Sequence, residues 1–413
     1  MHSVVSRDVG KRLRIAWISA FPVEWLSEVP SDLANLPRQH PLSWMRVLEG
    51  ELENSAEVEL HVLILRKQFP RSMSFTRNGV HFHLIRTPGS MRAPSLFWMD
   101  TLLIRRKMAE ISPDLVHAWG TEMGASVVAH RLKYPYLVTV QGLLTWYNEV
   151  TRLDPYHRFM VRFERRYLPR APLVTTESAF AVRFLKHKWP ALNIRQVEHA
   201  PDWVFHQVSR TPEKATPRFL FVGTVNHLKG GDLLLKGLDI LSAEYPFTVA
   251  VLGKVDKESE KSICSQMSQK LRERIQFRHD LAPSDVAAEL ACATMMLFPT
   301  RGDTSPNAVK EAAVSGLPVV GSRVGGIPDY IIDGENGILF DSNDLQGFVA
   351  AIKKAAIHPL FRNGTVDPAR LAKVRDYLSP KRMAKSFVAA YFSTVKNGHH
   401  GSHNIEADFR ASA

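Results

Sequence analysis

The stretch PTRGDTSPNAVKEAAVSGLPVVGSRVGGIPD, from Pro299 to Asp329, decides the fold. An apolar strand, Met295–Phe298, runs into it, and a polar loop, Thr300–Thr304, follows. Ser305-Pro306 then reads as a serine N-cap with proline at the first helical position. The helix Asn307–Ser315 gives way at Gly316 to a second short apolar strand, Leu317–Gly321. A strand, a crossover helix and another strand, with both strands apolar on both faces, is the unit of a parallel sheet covered on both sides.

The same alternation extends outward in both directions. The N-terminal half predicts strands at Leu13–Ser19, Val58–Leu65, Val80–Ile85, Leu115–Ala118, Tyr136–Val140 and Leu173–Thr176. Between them lie helical patterns near Leu42–Leu52, Leu96–Glu110, Met123–Leu132, Tyr156–Arg166 and Ala179–Lys188. The pattern pauses at Pro201–Pro217, then restarts with Arg218–Val222 (strand), Leu233–Leu241 (helix), Phe247–Leu252 (strand) and Asp285–Cys292 (helix). After the quoted stretch, Leu345–Ala355 reads as a helix, and Ser379-Pro380 opens another to about Val395. The expectation is an α/β chain of two doubly wound, Rossmann-like domains, residues 1–205 and 217–378, with a disordered tail at 396–413. Ligands of such sheets bind at the carboxyl ends of the strands, so the chemistry belongs in a cleft between the two domains.

Composition excludes other classes. Of 413 residues, 45% are apolar and 23% charged, which is neither a disordered chain nor a coiled coil. Leu290–Pro299 and Phe247–Leu252 fall far short of the ~20 residues needed to cross a bilayer. Cys264 and Cys292 are too few for a disulfide framework or a cysteine zinc site, and fit a reducing cytoplasm. Ile15–Phe21 after Arg12 and Arg14 reads as a buried first strand, because Pro22, Glu24 and Trp25 replace the small residues of a signal cleavage site. His399, His400 and His403 belong to a polar tail. The net charge of +12 is uneven: residues 1–200 carry 27 Lys/Arg against 18 Asp/Glu. Either this half meets an anionic partner, such as a phospholipid surface, or it presents a solvated basic face.

Three segments carry candidate chemistry. The open amides of Asn307 and Ala308, behind Ser305 and Pro306, form an anion site at the positive end of a helix dipole. Asp303 before this helix and Glu311 within it are placed to grip two hydroxyl-bearing groups; the alternative is an ordinary capped helix with a surface glutamate. Gly223-Thr224 opens a loop to Lys229, where a helix begins and an ammonium meets a phosphate, or is simply solvated. Gly325-Gly326 either admits a ligand close to the backbone or forms a tight turn. No GxGxxG and no Walker loop occurs, which argues against a dinucleotide.

The order and spacing of Gly223…Lys229-Gly230, Asp303-x7-Glu311-Ala312, Gly316-x-Pro318-Val319-Val320, Val324–Asp329 and Asp333-Gly334…Gly337 resembles the family 4 retaining glycosyltransferases, of GT-B fold. The N-terminal half is similar only through Pro113–Ala118 and Thr139–Gly142. The resemblance implies that Glu311 binds the ribose of a UDP- or GDP-linked sugar and that Asp303 faces the transferred sugar. It implies that Lys229 and the amides of Asn307 and Ala308 hold the diphosphate. No metal and no cofactor are expected, and the helix 379–395 is expected to cross back onto the N-terminal domain. The implied activity is transfer, with retention, to a polysaccharide or glycolipid acceptor near the inner face of a membrane.

Three positions depart from the family pattern. Asp303 stands for glutamate. Thr224 stands for an arginine on the diphosphate, with Arg301 and Arg323 as candidate replacements. Gln141, beside Gly142, stands for a sugar-contacting histidine, a role His117 is a candidate to take over. A catalytically idle binding module and a nucleotide-sugar epimerase are the competing readings; nucleic-acid binding is the weakest, since basic residues are not interleaved with aromatics in any recognised module.

Overall fold

The computed structural model of the chain describes residues 12–410 except Pro41, Lys214, Ile263, Cys264 and Gln266, with backbone alone at 257–259 and 398–410. Two sheets of nearly all-parallel strands organise it. The first contains β1 (Leu13–Ser19), β2 (Val58–Arg66), β3 (Met73–Arg77), β4 (Val80–Arg86), β5 (Leu115–Trp119), β6 (Tyr136–Val140), β7 (Val174–Thr176) and β8 (Ile194–Gln196). Their order is β3-β4-β2-β1-β5-β6-β7-β8, with only β3 antiparallel to its neighbour. The second contains β9 (Arg218–Val222), β10 (Thr248–Leu252), β11 (Ile275–Arg278), β12 (Met295–Phe298), β13 (Val319–Ser322) and β14 (Gly337–Phe340), ordered β11-β10-β9-β12-β13-β14. Both are doubly wound, and in each the order reverses at one point: between β1 and β5, and between β9 and β12.

The strands form where the sequence is continuously apolar because helices cover both faces. β5, β6 and β12 are buried at every position. The sequence did not announce the short buried strand β14 or three weak strands. β3 (MSFTR) is a half-exposed edge strand, β8 has three residues, and β11 is largely exposed, so none carries a continuous apolar run.

The last helix, Pro380–Arg410, opens behind Ser379 and returns to the first domain. Phe387, Ala390 and Tyr391 are fully buried there, and the Tyr391 hydroxyl accepts from Trp17 Nε1 at 3.0 Å. The tail expected to be disordered from Lys396 instead continues this helix to Arg410. Once the docked turns nucleate a helix, each further residue adds a backbone bond without a new nucleation cost. Residues 411–413, Cys264 and the side chains of His399, His400 and His403 lie outside the described residues. Among the described residues no helix is long and apolar enough to cross a membrane.

Candidate active site

The β9 and β12 strand ends, at the reversal of the second sheet, carry the two loops that build the site. After β9, Gly223 (φ 144°) opens the chain, and a Cβ there would meet nothing closer than the Phe221 ring at 3.8 Å. Asn226 Oδ1 accepts from the Lys229 amide at 2.8 Å, turning the chain into the helix Gly231–Ser242. Gly230 is required for that turn: its φ is +71°, and a Cβ would lie 1.8 Å from the Pro299 carbonyl oxygen. This contact brings the two loops together, and the Lys229 ammonium reaches the Asp303 carboxylate.

Asp303 is buried in the loop after β12, where its Oδ1 accepts from the Ser305 amide at 3.2 Å. Gly325 and Gly326 serve packing. Cβ atoms there would lie 1.9 Å from Asp303 O and 2.2 Å from Thr304 O, so the paired glycines let the 324–326 turn close against this loop.

The helix Asn307–Ser315 starts one residue later than the serine–proline signal suggests. Its N-cap is Pro306, whose carbonyl accepts from the amides of Val309 and Lys310, both at 3.1 Å. Ser305 does not cap the helix; its hydroxyl pairs with the Tyr330 hydroxyl at 2.7 Å. Among the described residues the amides of Asn307 and Ala308 donate to no backbone carbonyl, and both residues are half-buried. Glu311, one turn along, is half-buried as well. Burial pushes its carboxyl up to about 7; the Lys310 ammonium opposes this and Asp202 adds to it.

Lys310 pins this helix to the other domain. It is fully buried, with Nζ 2.6 Å from Glu177 Oε2 and 3.0 Å from the His199 carbonyl oxygen. Burial alone would raise the Glu177 carboxyl, but His199 and Lys310 outweigh it and hold the group at about 2. Ser178 Oγ donates to Thr304 O at 2.6 Å, and the Phe180 amide donates to Asp329 Oδ2 at 2.9 Å, closing the same side of the cleft.

The N-terminal domain faces this helix with the ends of β1, β5 and β6. A cavity of about 630 Å³ opens at the β1/β5 reversal, lined by Ser19, His40, Lys67, Arg92, Glu122 and Gln141. The Gln141 carbonyl accepts from Thr304 Oγ1 at 3.3 Å, while its side-chain Nε2 is buried without a partner. Glu122 Oε1 accepts from the Gly142 amide at 2.8 Å, and burial raises the carboxyl. His40 stands close enough to Lys229 that desolvation, aided by the ammonium, lowers its pKa. The Tyr147 hydroxyl is pushed up by burial and by Asp303.

Lys229 pairs with Asp303 and the next residue of that loop meets Gln141, so these loops stand together at the domain boundary, with Asn307, Ala308 and Glu311 on the adjoining helix; other expected residues stand elsewhere. His117 is fully buried beneath the last helix, with Nδ1 3.0 Å from the Tyr391 hydroxyl and Nε2 2.6 Å from Thr139 Oγ1. Both nitrogens are consumed, and burial holds the ring well below its ordinary pKa. It is a core residue, not a sugar contact. Arg301 does not replace the missing arginine: its guanidinium grips Asp232 at 2.6 and 2.7 Å and also bonds the His227 carbonyl at 2.5 Å. Arg323 is half exposed beside Asp341, and Thr224 is exposed. Sequence reasoning missed Lys310, Glu177, His40, Glu122 and Tyr147. Glu177 and Glu122 carried a usable signal, one and three residues beyond a strand end.

Two family profiles match the chain: "Glycosyltransferase Family 4" over residues 51–200 and "Glycosyl transferases group 1" over residues 216–357. Among curated proteins, a D-inositol 3-phosphate glycosyltransferase of Nocardioides is 26% identical over 39% of this chain and 39% of its own length. An uncharacterized glycosyltransferase of Bacillus subtilis is 27% identical over 56% of this chain and 65% of its own. The chain therefore spans less than two thirds of the length of these relatives. Among solved structures, sucrose-phosphate synthase of Thermosynechococcus elongatus superposes with a TM-score of 0.69 at 17% identity, covering 97% of this chain and 100% of that one. Anabaena HepE in complex with UDP-glucose gives 0.65 at 14% identity, covering 93% and 100%. These likenesses place the fold among GT-B structures.

Proposed function

We propose that this chain, which belongs to the group 1 glycosyltransferases, transfers a sugar from a nucleotide diphosphate sugar to a carbohydrate or lipid-linked acceptor with retention and without a metal. One observation carries the reading. The Lys229 ammonium meets the Asp303 carboxylate four residues before the helix Asn307–Ser315, whose first two amides are open and which carries Glu311. Amides and an ammonium suit a diphosphate, and carboxylates suit sugar and ribose hydroxyls. A UDP- or GDP-linked donor fits that set, and HepE's complex with UDP-glucose supports the choice.

In this reading the anomeric carbon becomes oxocarbenium-like as its bond to the diphosphate oxygen breaks. Negative charge grows on the leaving oxygens, where fixed amides and Lys229 stabilise it more than in the ground state. The acceptor hydroxyl forms the new bond on the same face, and its proton passes to a leaving phosphate oxygen. No protein base of tuned pKa is required. The acceptor would occupy the cavity beside Gln141 and Glu122. The apolar side chains of Trp98 (54% exposed) and Leu102 (62% exposed) stand on the basic domain and suit contact with an anionic bilayer on its cytoplasmic face.

The test is a panel of nucleotide sugars screened by thermal shift and then by transfer assay. A donor that raises Tm, with product formation lost in Glu311→Ala, supports the reading; unimpaired transfer by that variant refutes the site. The idle-module reading draws on the exposed Thr224 and on the pairing of Lys229 with Asp303. It predicts that no nucleotide sugar binds at all.

A further inference from the structure

At the amino-terminal ends of β2 and β4, well away from the cleft, imidazoles gather on one face of the first sheet. Arg66 ends β2 at the cleft and His61 lies five residues earlier, roughly 17 Å back along the strand. His61 and His81 are direct partners across the parallel β2–β4 pair, and their rings stack with centroids 4.6 Å apart. Two residues before His61 on the same face is Glu59, whose Oε1 is 2.9 Å from His61 Nε2. One donor atom from each of Glu59, His61 and His81 lies within 4.8 Å of the others.

We propose that Glu59, His61 and His81 form a binding site for a divalent transition metal, zinc by its donor set, independent of the sugar-transfer cleft. Two imidazoles and one carboxylate are a zinc-type combination that leaves a fourth position for water. Bonds of about 2.0–2.2 Å require the three donor atoms to draw together, which side-chain rotation within the cluster supplies.

The far side of each ring meets a partner that suits metal binding, although His61 Nε2 must first release the proton it donates to Glu59 Oε1. His81 Nδ1 is 2.9 Å from Thr76 Oγ1, so a proton there leaves the Nε2 lone pair for the ion. His61 Nδ1 is 3.0 Å from His83 Nε2, and His83 Nδ1 is 2.9 Å from Ser74 Oγ. On metal binding the proton that His61 Nε2 donates to Glu59 would leave, and one on Nδ1 would donate to His83 Nε2. Metal-bound histidines characteristically donate their second nitrogen in this way. Arg14 Nε, 3.0 Å from Glu59 Oε1, fixes the carboxylate and leaves its second oxygen for the ion. The site joins β2 to β4 directly and reaches the exposed edge strand β3 through Ser74 and Thr76. A bound ion would therefore act as a cross-link of this edge.

The full chain, stripped with a chelator and dialysed, is titrated with zinc chloride by calorimetry and thermal shift, and with cobalt(II) by visible absorption. Expected are one zinc per chain, a Tm rise of about 3 °C at a hundredfold excess over Kd, and tetrahedral-type cobalt bands. His81→Ala is half-exposed and should fold; it should weaken binding at least tenfold and remove the bands, as should Glu59→Gln. The combined His399→Ala, His400→Ala and His403→Ala chain should keep them, which separates the cluster from the histidine-bearing tail. The proposal is overturned if zinc leaves Tm and the calorimetric heats unchanged, if the tail variant alone abolishes binding, or if His81→Ala and Glu59→Gln both bind as the parent does.

Discussion

Glu311 makes the sharpest prediction, because its carboxyl is held at about 7 before any donor arrives. Ribose hydroxyls donate to the ionised form, so donor binding should expel the proton that burial retains. With a pKa near 7, about one eleventh of the free protein is ionised at pH 6, half at pH 7 and about ten elevenths at pH 8. Observed affinity should follow that fraction, rising about tenfold from pH 6 to pH 8, or roughly 1.4 kcal/mol. Proton release should fall over the same range from about 0.9 to about 0.1 per donor bound. Calorimetry in buffers of different ionisation heat reads both quantities. An intact nucleotide sugar should be used, since a terminal phosphate with a pKa near 6 would titrate in the same window. Glu311→Gln should bind roughly 10- to 100-fold more weakly, the loss of charge-assisted bonds worth about 1.5–3 kcal/mol, with a flat pH profile. If the variant keeps the parent's pH dependence, or if the parent takes up protons on binding, Glu311 is not the hydroxyl-binding carboxylate.

Stability follows the same logic with its own signs. The raised Glu311 pKa contributes stability that is present below pH 4.5 and lost as pH rises through about 7, so Glu311→Gln should flatten the fall in stability over that window. Glu177 is depressed, to about 2, so its contribution is present above pH 4.5 and lost as the pH falls through that value. Lys310→Met leaves the buried Glu177 charge with His199 as its remaining partner and should cost about 3–5 kcal/mol by urea denaturation; a loss below 1 kcal/mol would show that the pair is dispensable. His117→Ala should lower stability by about 1–3 kcal/mol through the two hydrogen bonds lost to the Tyr391 and Thr139 hydroxyls, with kcat/KM unchanged; a selective fall in kcat would return His117 to the site. Gly230→Ala forces a Cβ against the Pro299 carbonyl and should abolish donor binding while circular dichroism stays native.

The second domain's site was legible because its chemistry is local. Backbone geometry at one sheet reversal fixes where the Lys229 loop, the Asp303 loop and the Asn307 helix meet, and all lie within a few residues of a strand end. The first domain was less legible, because there function depends on which face of a strand a side chain takes. His117 looked cleft-bound by position along β5, yet it faces the last helix from 274 residues away in sequence. Glu122, just past the same strand, reaches the cavity instead. Arg301 failed for another reason: spacing placed a cation near the phosphate, but Asp232 in the facing helix captures both its terminal nitrogens.

The Lys229–Asp303 contact shows what spacing cannot supply, the charge state of the site at rest. Each group was assigned a separate ligand, and the structure pairs them. With Lys229 paired, the amides of Asn307 and Ala308 are the part of the proposed diphosphate site left open. A diphosphate that draws Lys229 away therefore gains an ammonium and simultaneously releases Asp303 toward the sugar hydroxyls. One displacement prepares both halves of the donor site. Its consequence is measurable: Asp303→Asn should leave Lys229 unpaired and tighten binding of a bare nucleoside diphosphate, while slowing transfer of the sugar. A variant that weakens both, or neither, would mean that the resting pair plays no part in selecting the donor.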